Sequence, residues 1–233
     1  MRAWIDWYDS PHTIYANDRH RDVHFQRIAE DIARYVPAPD AIVLDYGCGE
    51  ALRADIVAGA AGRLILAEPA PTVRARVAAR FAGHPKITVA SLDALAALPD
   101  GSIDLIVMHS VAQYMTANDL EATLKAFRRL LKPTGIVVLG DVISPETSAS
   151  TDALALLRFG SSEGFLLAAV AGLARTLFSN YWRLRTSLGL TRYSEADIVA
   201  MLAASGFAAA RQAKNIGHNP ARMTFLCRRT GAI

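Results

Sequence analysis

Cysteine is scarce in this sequence. The 233 residues include two cysteines, Cys48 in a glycine-rich turn and Cys227 near the C-terminus. Two thiols are too few for a disulfide-stabilised scaffold or a thiolate metal site. The six histidines also lack the paired spacing with carboxylates that would place a ligand set on one element. We therefore expect two reduced cysteines and no metal site.

Runs of basic residues and long apolar segments are lacking as well. The net charge is +3, but it comes from scattered arginines, so nucleic acid is not the expected partner. The N-terminus lacks the charged-then-apolar order of a secretory signal. The uncharged stretch 164–174 is far shorter than the roughly 20 residues needed to span a bilayer. We expect a cytoplasmic protein without stable membrane insertion.

The composition and pattern predict one α/β domain over residues 1–233. Hydrophobic residues make up 52% of the chain and charged residues 20%, which is enough apolar material for one large core. Within residues 41–143, short apolar runs alternate with helical segments, as in a parallel sheet covered by helices. Before this core, residues 1–40 contain a predicted helix over 18–36, which the prolines at 37 and 39 end.

The C-terminal half departs from this alternation. Residues 144–193 insert mostly helical, apolar sequence that we interpret as a lid or cap. Residues 194–233 then predict a helix begun by Ser194 and Asp197, with Gly206 as its left-handed cap. Two strand-like stretches, 207–216 and 222–229, follow as a hairpin at the sheet edge.

The most informative stretch joins a buried strand to a glycine turn and a helix. It runs from Val43 through Asp45, Gly47, Cys48 and Gly49. Glycines there let the backbone turn sharply and approach a ligand closely. A dinucleotide fingerprint would need a third glycine at position 52, where this chain has leucine, so the pattern disfavours a nicotinamide-dependent oxidoreductase.

The stretch instead resembles the first motif of class I S-adenosylmethionine-dependent methyltransferases, with Asp45 two positions before the first glycine. The resemblance implies a Rossmann-like α/β/α sandwich with a mostly parallel seven-stranded sheet and an antiparallel C-terminal hairpin strand. It implies S-adenosylmethionine as cofactor, with Gly47, Cys48 and Gly49 against its amino-acid part. Glu68 and Pro69 end the second strand, where one carboxylate can bind a ribose diol.

Three further stretches extend the resemblance over about residues 41–143. The family's adenine site corresponds to Asp93, with Leu92 or Ala94 against the ring, although Asp93 can also be a helix cap. The fourth strand ends at His109 and Ser110 in the position of another family motif. The turn before the fifth strand, residues 131–135, is also similar.

Methyl transfer from a sulfonium needs alignment of donor and acceptor and exclusion of water, so a dedicated catalytic side chain is optional. If the acceptor is a hydroxyl or carbon acid, His109 is the best-placed base, since neutral imidazole is available at cellular pH. An equally weighted alternative is a histidine packed beside the cofactor. A non-catalytic cofactor-binding protein is a second open function.

The N-terminal segment and the insertion supply the remaining candidates. Family resemblance suggests that Tyr15 closes the cofactor site and that Arg19 pairs with the donor's carboxylate; the alternative is a solvated helix start capped by Asp18. For the acceptor, a small molecule with a sizeable apolar part, the candidate residues are Tyr114, Phe178, Tyr181 and Trp182. The apolar face that contains Phe178, Tyr181 and Trp182 can instead serve ordinary core packing, a membrane surface or a homodimer contact.

Overall fold

A twisted sheet of seven strands forms the centre of the computed structural model, which describes residues 2–10, 15–177 and 189–231. The strands are β1 (Ile42–Tyr46), β2 (Arg63–Ala67), β3 (Ile87–Ala90), β4 (Ile103–His109), β5 (Leu131–Ile143), β6 (Phe207–Arg211) and β7 (Arg222–Arg229). Their order is β3-β2-β1-β4-β5-β7-β6. β1 to β5 pair in parallel, while β7 runs antiparallel to both of its neighbours. The predicted mostly parallel sheet with a reversed C-terminal strand is confirmed.

Helices cover both faces of the sheet. They are α1 (Arg2–Asp9), α2 (Asp18–Ala33), α3 (Ala54–Ala60), α4 (Pro71–Arg80), α5 (Ala117–Leu130), α6 (Ala149–Glu163), α7 (Leu166–Leu177) and α8 (Glu195–Ala204). Two short 3₁₀ turns, Asp93–Ala97 and Ala112–Tyr114, follow β3 and β4. The layered α/β/α arrangement is that of a Rossmann-like fold.

Side chains alternate between two apolar cores, one on each face. In β1, Leu44 and Tyr46 join the core formed with α5 and α8, whereas Val43 joins the core formed with α2, α3 and α4. Such alternation follows from the two-residue period of a strand. Because both faces are covered, the central strands are mostly apolar, and their carboxyl ends are left to form a site.

The two predicted ends of α8 are confirmed, and α5 begins with a capping box. Thr116 and Asp119 form the capping box of α5, and the Ser194 hydroxyl accepts a hydrogen bond from the Asp197 backbone N–H at the start of α8. Gly206, just after α8, has a φ of +83°, the left-handed conformation that favours glycine at a helix end. These local signals specify where the helices begin and end.

Several predicted boundaries were wrong. Helix α1 was not anticipated, and α2 is capped by the Asn17 side chain, which accepts from the His20 N–H, not by Asp18. α2 ends at Ala33, because the residue before Pro37 is restricted to extended conformations. The helix after the glycine turn begins at Ala54, because the preceding turn is left-handed at Gly49 and Ala51.

Two strand boundaries also differ. β5 begins at Leu131, four residues earlier than expected, because that residue pairs with Ile103 at the start of β4. β6 ends at Arg211 instead of 216, since the chain then bends to bring Asn215 to the end of β5, where its Oδ1 accepts from the Asp141 N–H at 3.1 Å.

The segment 144–193 is helical where the structure describes it. α6 and α7 pack against α2 through a small apolar cluster of Val23, Phe159, Phe165 and Ala169. The outer surface of α7 is apolar, and Leu167 is 87% exposed. No helix in the described ranges has the length and apolar character needed to cross a membrane.

Candidate active site

A cleft of about 540 Å³ opens at the carboxyl ends of β1, β2 and β4. Between β1 and β4 the strand order reverses, and ligands of open α/β sheets bind at this switch point. The cleft lies within the size range of small-molecule sites. Of the predicted residues, it is lined by Tyr15, Asp45, Gly47, Cys48, Gly49, Glu68, Pro69, His109, Ser110 and Tyr114.

The glycine turn forms one wall. The N–H groups of Gly47 and Cys48 both donate to the Ala67 carbonyl, at 2.7 and 3.2 Å, which ties the turn to the end of β2. Gly47 has a φ of +74°, and a Cβ there would lie 2.5 Å from Cγ2 of Val111. At Gly49, φ is +56° and a Cβ would meet open space. The first glycine is therefore required by packing, and the second leaves room for a ligand.

Two carboxylates face the cleft beside this turn. The buried Glu68 accepts hydrogen bonds from the Gly49 and Ala70 N–H groups, both at 2.8 Å, so it fixes the shape of the turn. Burial, and then the nearby charge of Glu68, raise the pKa of Asp45 to about 7. Burial also raises the pKa of Glu68. A cationic or hydroxyl-rich ligand would stabilise both in their charged form.

Helix α1 covers the cleft from above. Trp4 and Tyr8 line it, the Tyr8 and Tyr114 hydroxyls lie 2.7 Å apart, and the Trp4 and Tyr114 rings are 4.7 Å apart. The Asp9 carboxylate accepts from the backbone N–H of Thr72 at 2.6 Å and from its hydroxyl at 3.0 Å. The residue at the N-cap of α4 is Ala70, whose side chain cannot accept a hydrogen bond. Asp9 of helix α1 therefore supplies the side-chain cap of α4. The sequence analysis did not predict that α1 covers the cleft.

Of the two predicted N-terminal residues, Tyr15 lies in the cleft wall and Arg19 does not. Tyr15 lines the cleft, and burial raises its pKa well above the ordinary value of a phenol. Arg19 does not line it: its Nε donates to the Glu163 carbonyl at 3.1 Å, and its Nη2 lies 3.8 Å from the Glu163 carboxylate. Arg19 therefore ties α2 to the end of α6. A role for it at the donor's carboxylate remains a prediction without support in this geometry.

The predicted adenine residues do not line the cleft. Asp93 begins the 3₁₀ turn after β3, and the Ala94 N–H donates to Ser91 Oγ at 3.2 Å. Of the described residues that line the cleft, none is Leu92, Asp93 or Ala94. Their role stays a prediction. Phe178, Tyr181 and Trp182 fall outside the described residues.

Another part of the cleft wall contains His109 at the end of β4, Ser110 just after it and Asp141 near the end of β5. The Ser110 hydroxyl donates to Asp141 Oδ2 at 2.7 Å. Ser110 and Asp141 have φ of +58° and +62°, and Ala51 in the opposite wall has +46°. Within the described ranges these are the non-glycine residues with positive φ, and all three line the cleft. Such strain, on the order of 1–3 kcal/mol per residue, is concentrated at functional sites.

Neither cysteines nor metal ligands define this site. Cys48 lines the cleft as a free thiol whose pKa is raised by burial, and Cys227 is buried in the core with a pKa of about 12. The described part of the chain contains no group of three or more histidine, cysteine, aspartate or glutamate side chains arranged to hold a metal ion.

Comparison with known proteins agrees with this geometry. The model of a methyltransferase domain family matches residues 44–139, from β1 to β5. No curated protein sequence matches the chain significantly. Residues 44–139 are therefore similar to the methyltransferase domain family, whose cofactor is S-adenosylmethionine.

Solved structures share the fold at low identity. The DhpI–SAH complex has a TM-score of 0.59 at 14% identity, covering 99% of this chain and 97% of that one. Magnesium protoporphyrin IX methyltransferase (ChlM) from Synechocystis PCC 6803, with bound SAH, has a TM-score of 0.60 at 18% identity, covering 98% and 94%. The mitomycin 7-O-methyltransferase MmcR has 0.61 at 20% identity, covering 89% of this chain and 54% of that one.

The residues of the cleft fit this cofactor. Open space at Gly49 lets a ligand reach the backbone, and Glu68 retains lone pairs for hydroxyl donors besides its two backbone bonds. Asp45 provides negative charge for the cationic amino and sulfonium groups. The residues around the glycine turn are therefore chemically compatible with this cofactor, and their role in binding it stays a prediction.

Proposed function

We propose that this protein transfers a methyl group from S-adenosylmethionine to a small-molecule acceptor bound in the same cleft, beside His109. The observation that carries the proposal is the continuity of the cleft. One cavity is lined both by Asp45, Gly49 and Glu68 and by His109 and Tyr114. Donor and acceptor held in one cavity react as an intramolecular pair, which is the main source of rate in such transfers.

When bound, the cofactor supplies an electrophilic methyl group on a sulfonium. The chain's own residues then align the donor and the acceptor, enclose them, and remove a proton from the acceptor. The glycine turn and Glu68 hold the donor side, and α1 excludes water from above through Trp4 and Tyr8. The lid proposed for residues 144–193 is supported by two phenylalanines of this segment. Phe165 stacks on His20 of α2, and Phe159 stacks on His218, which lines the cleft.

His109 is proposed as the base for a hydroxyl acceptor. Burial lowers its pKa, so the imidazole is neutral and able to accept a proton near pH 7. A Cβ at Gly140 would lie 2.9 Å from Nδ1 of His109, so Nδ1 is buried against β5 and Nε2 is the nitrogen that the cleft can reach. Asp141 favours the charged form of His109 and would stabilise the imidazolium that forms.

A direct test is a screen for methylated products. The protein is incubated with S-adenosylmethionine and a panel of small hydroxylated, amino and thiol compounds, and products are detected by their added methyl mass. His109→Ala should lower turnover about a hundredfold with cofactor affinity unchanged. The matched control is His84→Ala, in the loop after α4, which should retain full turnover. Unchanged turnover in His109→Ala would remove the base from the proposal.

The apolar outer face of α7 remains open to other uses. Leu166, Leu167 and Val170 are exposed there. The homodimer contact or peripheral membrane contact was predicted for the apolar face around Phe178, Tyr181 and Trp182, which falls outside the described residues, and it stays a prediction.

A further inference from the structure

A second pocket, of about 230 Å³, adjoins the cleft beside His109. It shares part of its wall with the cleft, namely Tyr15, His24, His109, Ser110, Asp141 and His218. Four of the six histidines of the sequence, His20, His24, His109 and His218, line this pocket. They come from α2, the end of β4 and the loop between β6 and β7, so their convergence is a property of the fold.

Aromatic rings hold the histidines in place. His20 stacks on Phe165 with ring centroids 4.7 Å apart, and His218 stacks on Phe159 at 4.5 Å. Tyr15 contacts both His20 and His24 with centroids 5.6 Å apart. Offset and edge-to-face pairs of this kind restrict ring orientation. The pocket therefore presents fixed ring faces and edges, a surface suited to a planar aromatic molecule.

The pocket offers no free positive charge from its described lining. The lining arginine, Arg222, is paired with Asp152 at 2.8 and 2.9 Å. Burial lowers the pKa of each of the four histidines, to about 4 for His20 and well below its ordinary value for His24. An anionic acceptor such as a carboxylate or phosphate would therefore be desolvated without a counter-ion.

Two of these histidines carry an unusual energetic cost. Nδ1 of His24 and Nδ1 of His109 are buried and have no hydrogen-bond partner among the described residues. An unpaired buried polar group costs about 1–3 kcal/mol, which an apolar side chain of similar size would avoid. Both imidazoles line the pocket, and because their Nδ1 atoms are buried, it is the other ring atoms that a ligand in the pocket can contact.

We propose that this pocket binds the acceptor as an uncharged aromatic alcohol of the phenol class, with the ring among the histidines and the hydroxyl at the shared wall. The inference rests on the proposed function and specifies its substrate. The acceptor oxygen forms a bond to the methyl carbon, and the methyl–sulfur bond breaks with its electron pair remaining on sulfur. The hydroxyl proton passes to Nε2 of His109, next to the negative charge of Asp141.

The test compares three ring compounds of similar size: phenol, benzylamine and benzoate. Binding of SAH is first measured by calorimetry. The three compounds are then titrated, with and without SAH, into isotope-labelled protein while the imidazole resonances of the histidines are followed by NMR. Phenol should shift the resonances of His24, His109 and His218 and leave His84 unmoved. Equal or tighter binding of benzylamine or benzoate, or no shift with phenol, would overturn the assignment.

A variant adds an independent measurement. His24→Leu should lower phenol affinity at least tenfold while SAH affinity and the melting temperature stay at or above those of the wild type. His84→Leu is the matched control and should change neither affinity. Unchanged phenol affinity in His24→Leu contradicts the proposal. If SAH does not bind at all, the proposed function fails; if SAH binds and phenol does not, only the acceptor class is wrong.

Discussion

Replacing Asp45 by Asn should stabilise the cofactor-free protein above neutral pH. The pKa of Asp45 is about 7 in the folded protein and 3.8 ordinarily. Between these values the folded state retains a proton that the unfolded state has lost, so stability decreases as pH rises through this range. The difference corresponds to roughly 4 kcal/mol above pH 7. Asparagine has the shape of the protonated acid and carries no such penalty.

Urea denaturation of the wild type and Asp45→Asn at pH 5 and pH 8 measures this effect. The stability advantage of the variant should increase by roughly 3 kcal/mol between the two values, because most of the penalty develops there. The exposed Asp55 on α3 offers a control, since Asp55→Asn should show no such trend. An advantage for Asp45→Asn that is the same at both pH values would refute the reasoning. The variant should also bind the cofactor more weakly, since it gives up the negative charge.

Three further predictions concern the walls of the cleft. Gly47→Ala should destabilise the protein by about 1–3 kcal/mol in urea denaturation, because Gly47 has a positive φ and an added Cβ would clash with Val111. Gly59 is exposed in α3, and the control Gly59→Ala should instead stabilise the protein by about 0.5–1 kcal/mol. Asp9→Ala should lower the free energy of unfolding by about 1 kcal/mol, because α1 loses its attachment to α4. The same change should speed SAH dissociation in stopped-flow experiments, and an unchanged off-rate would show that α1 does not cover the cleft. Glu68→Gln should weaken SAH binding strongly in calorimetry, because the amide oxygen can accept one of the two backbone bonds of the turn but the amide nitrogen cannot accept the other; unchanged affinity would contradict that role.

Sequence reasoning located the sheet and the glycine turn because both depend on local patterns. The apolar runs of β1 to β5 and the capping residues of α5 and α8 are short-range signals, and the structure follows them. Asp45, Gly47 and Glu68 could be placed because the carboxyl ends of neighbouring parallel strands meet at one edge.

The cover and the second pocket depend on contacts between distant segments. Tyr8 meets Tyr114 across more than a hundred residues, and Asp9 caps a helix that begins at Pro71. Nothing in the local sequence indicates either contact. The i, i+4 spacing of His20 and His24 is the one local signal that the pocket offered, because it places both rings on one face of α2.

The most direct test of the central claim is calorimetric titration of the protein with S-adenosylmethionine, SAH and NAD. We expect micromolar binding of the two adenosyl compounds, no measurable binding of NAD, and loss of binding in Asp45→Ala and Glu68→Ala. The control Asp55→Ala should bind as the wild type does. Absence of adenosyl binding, or a preference for NAD, would contradict the assignment of the cleft to S-adenosylmethionine.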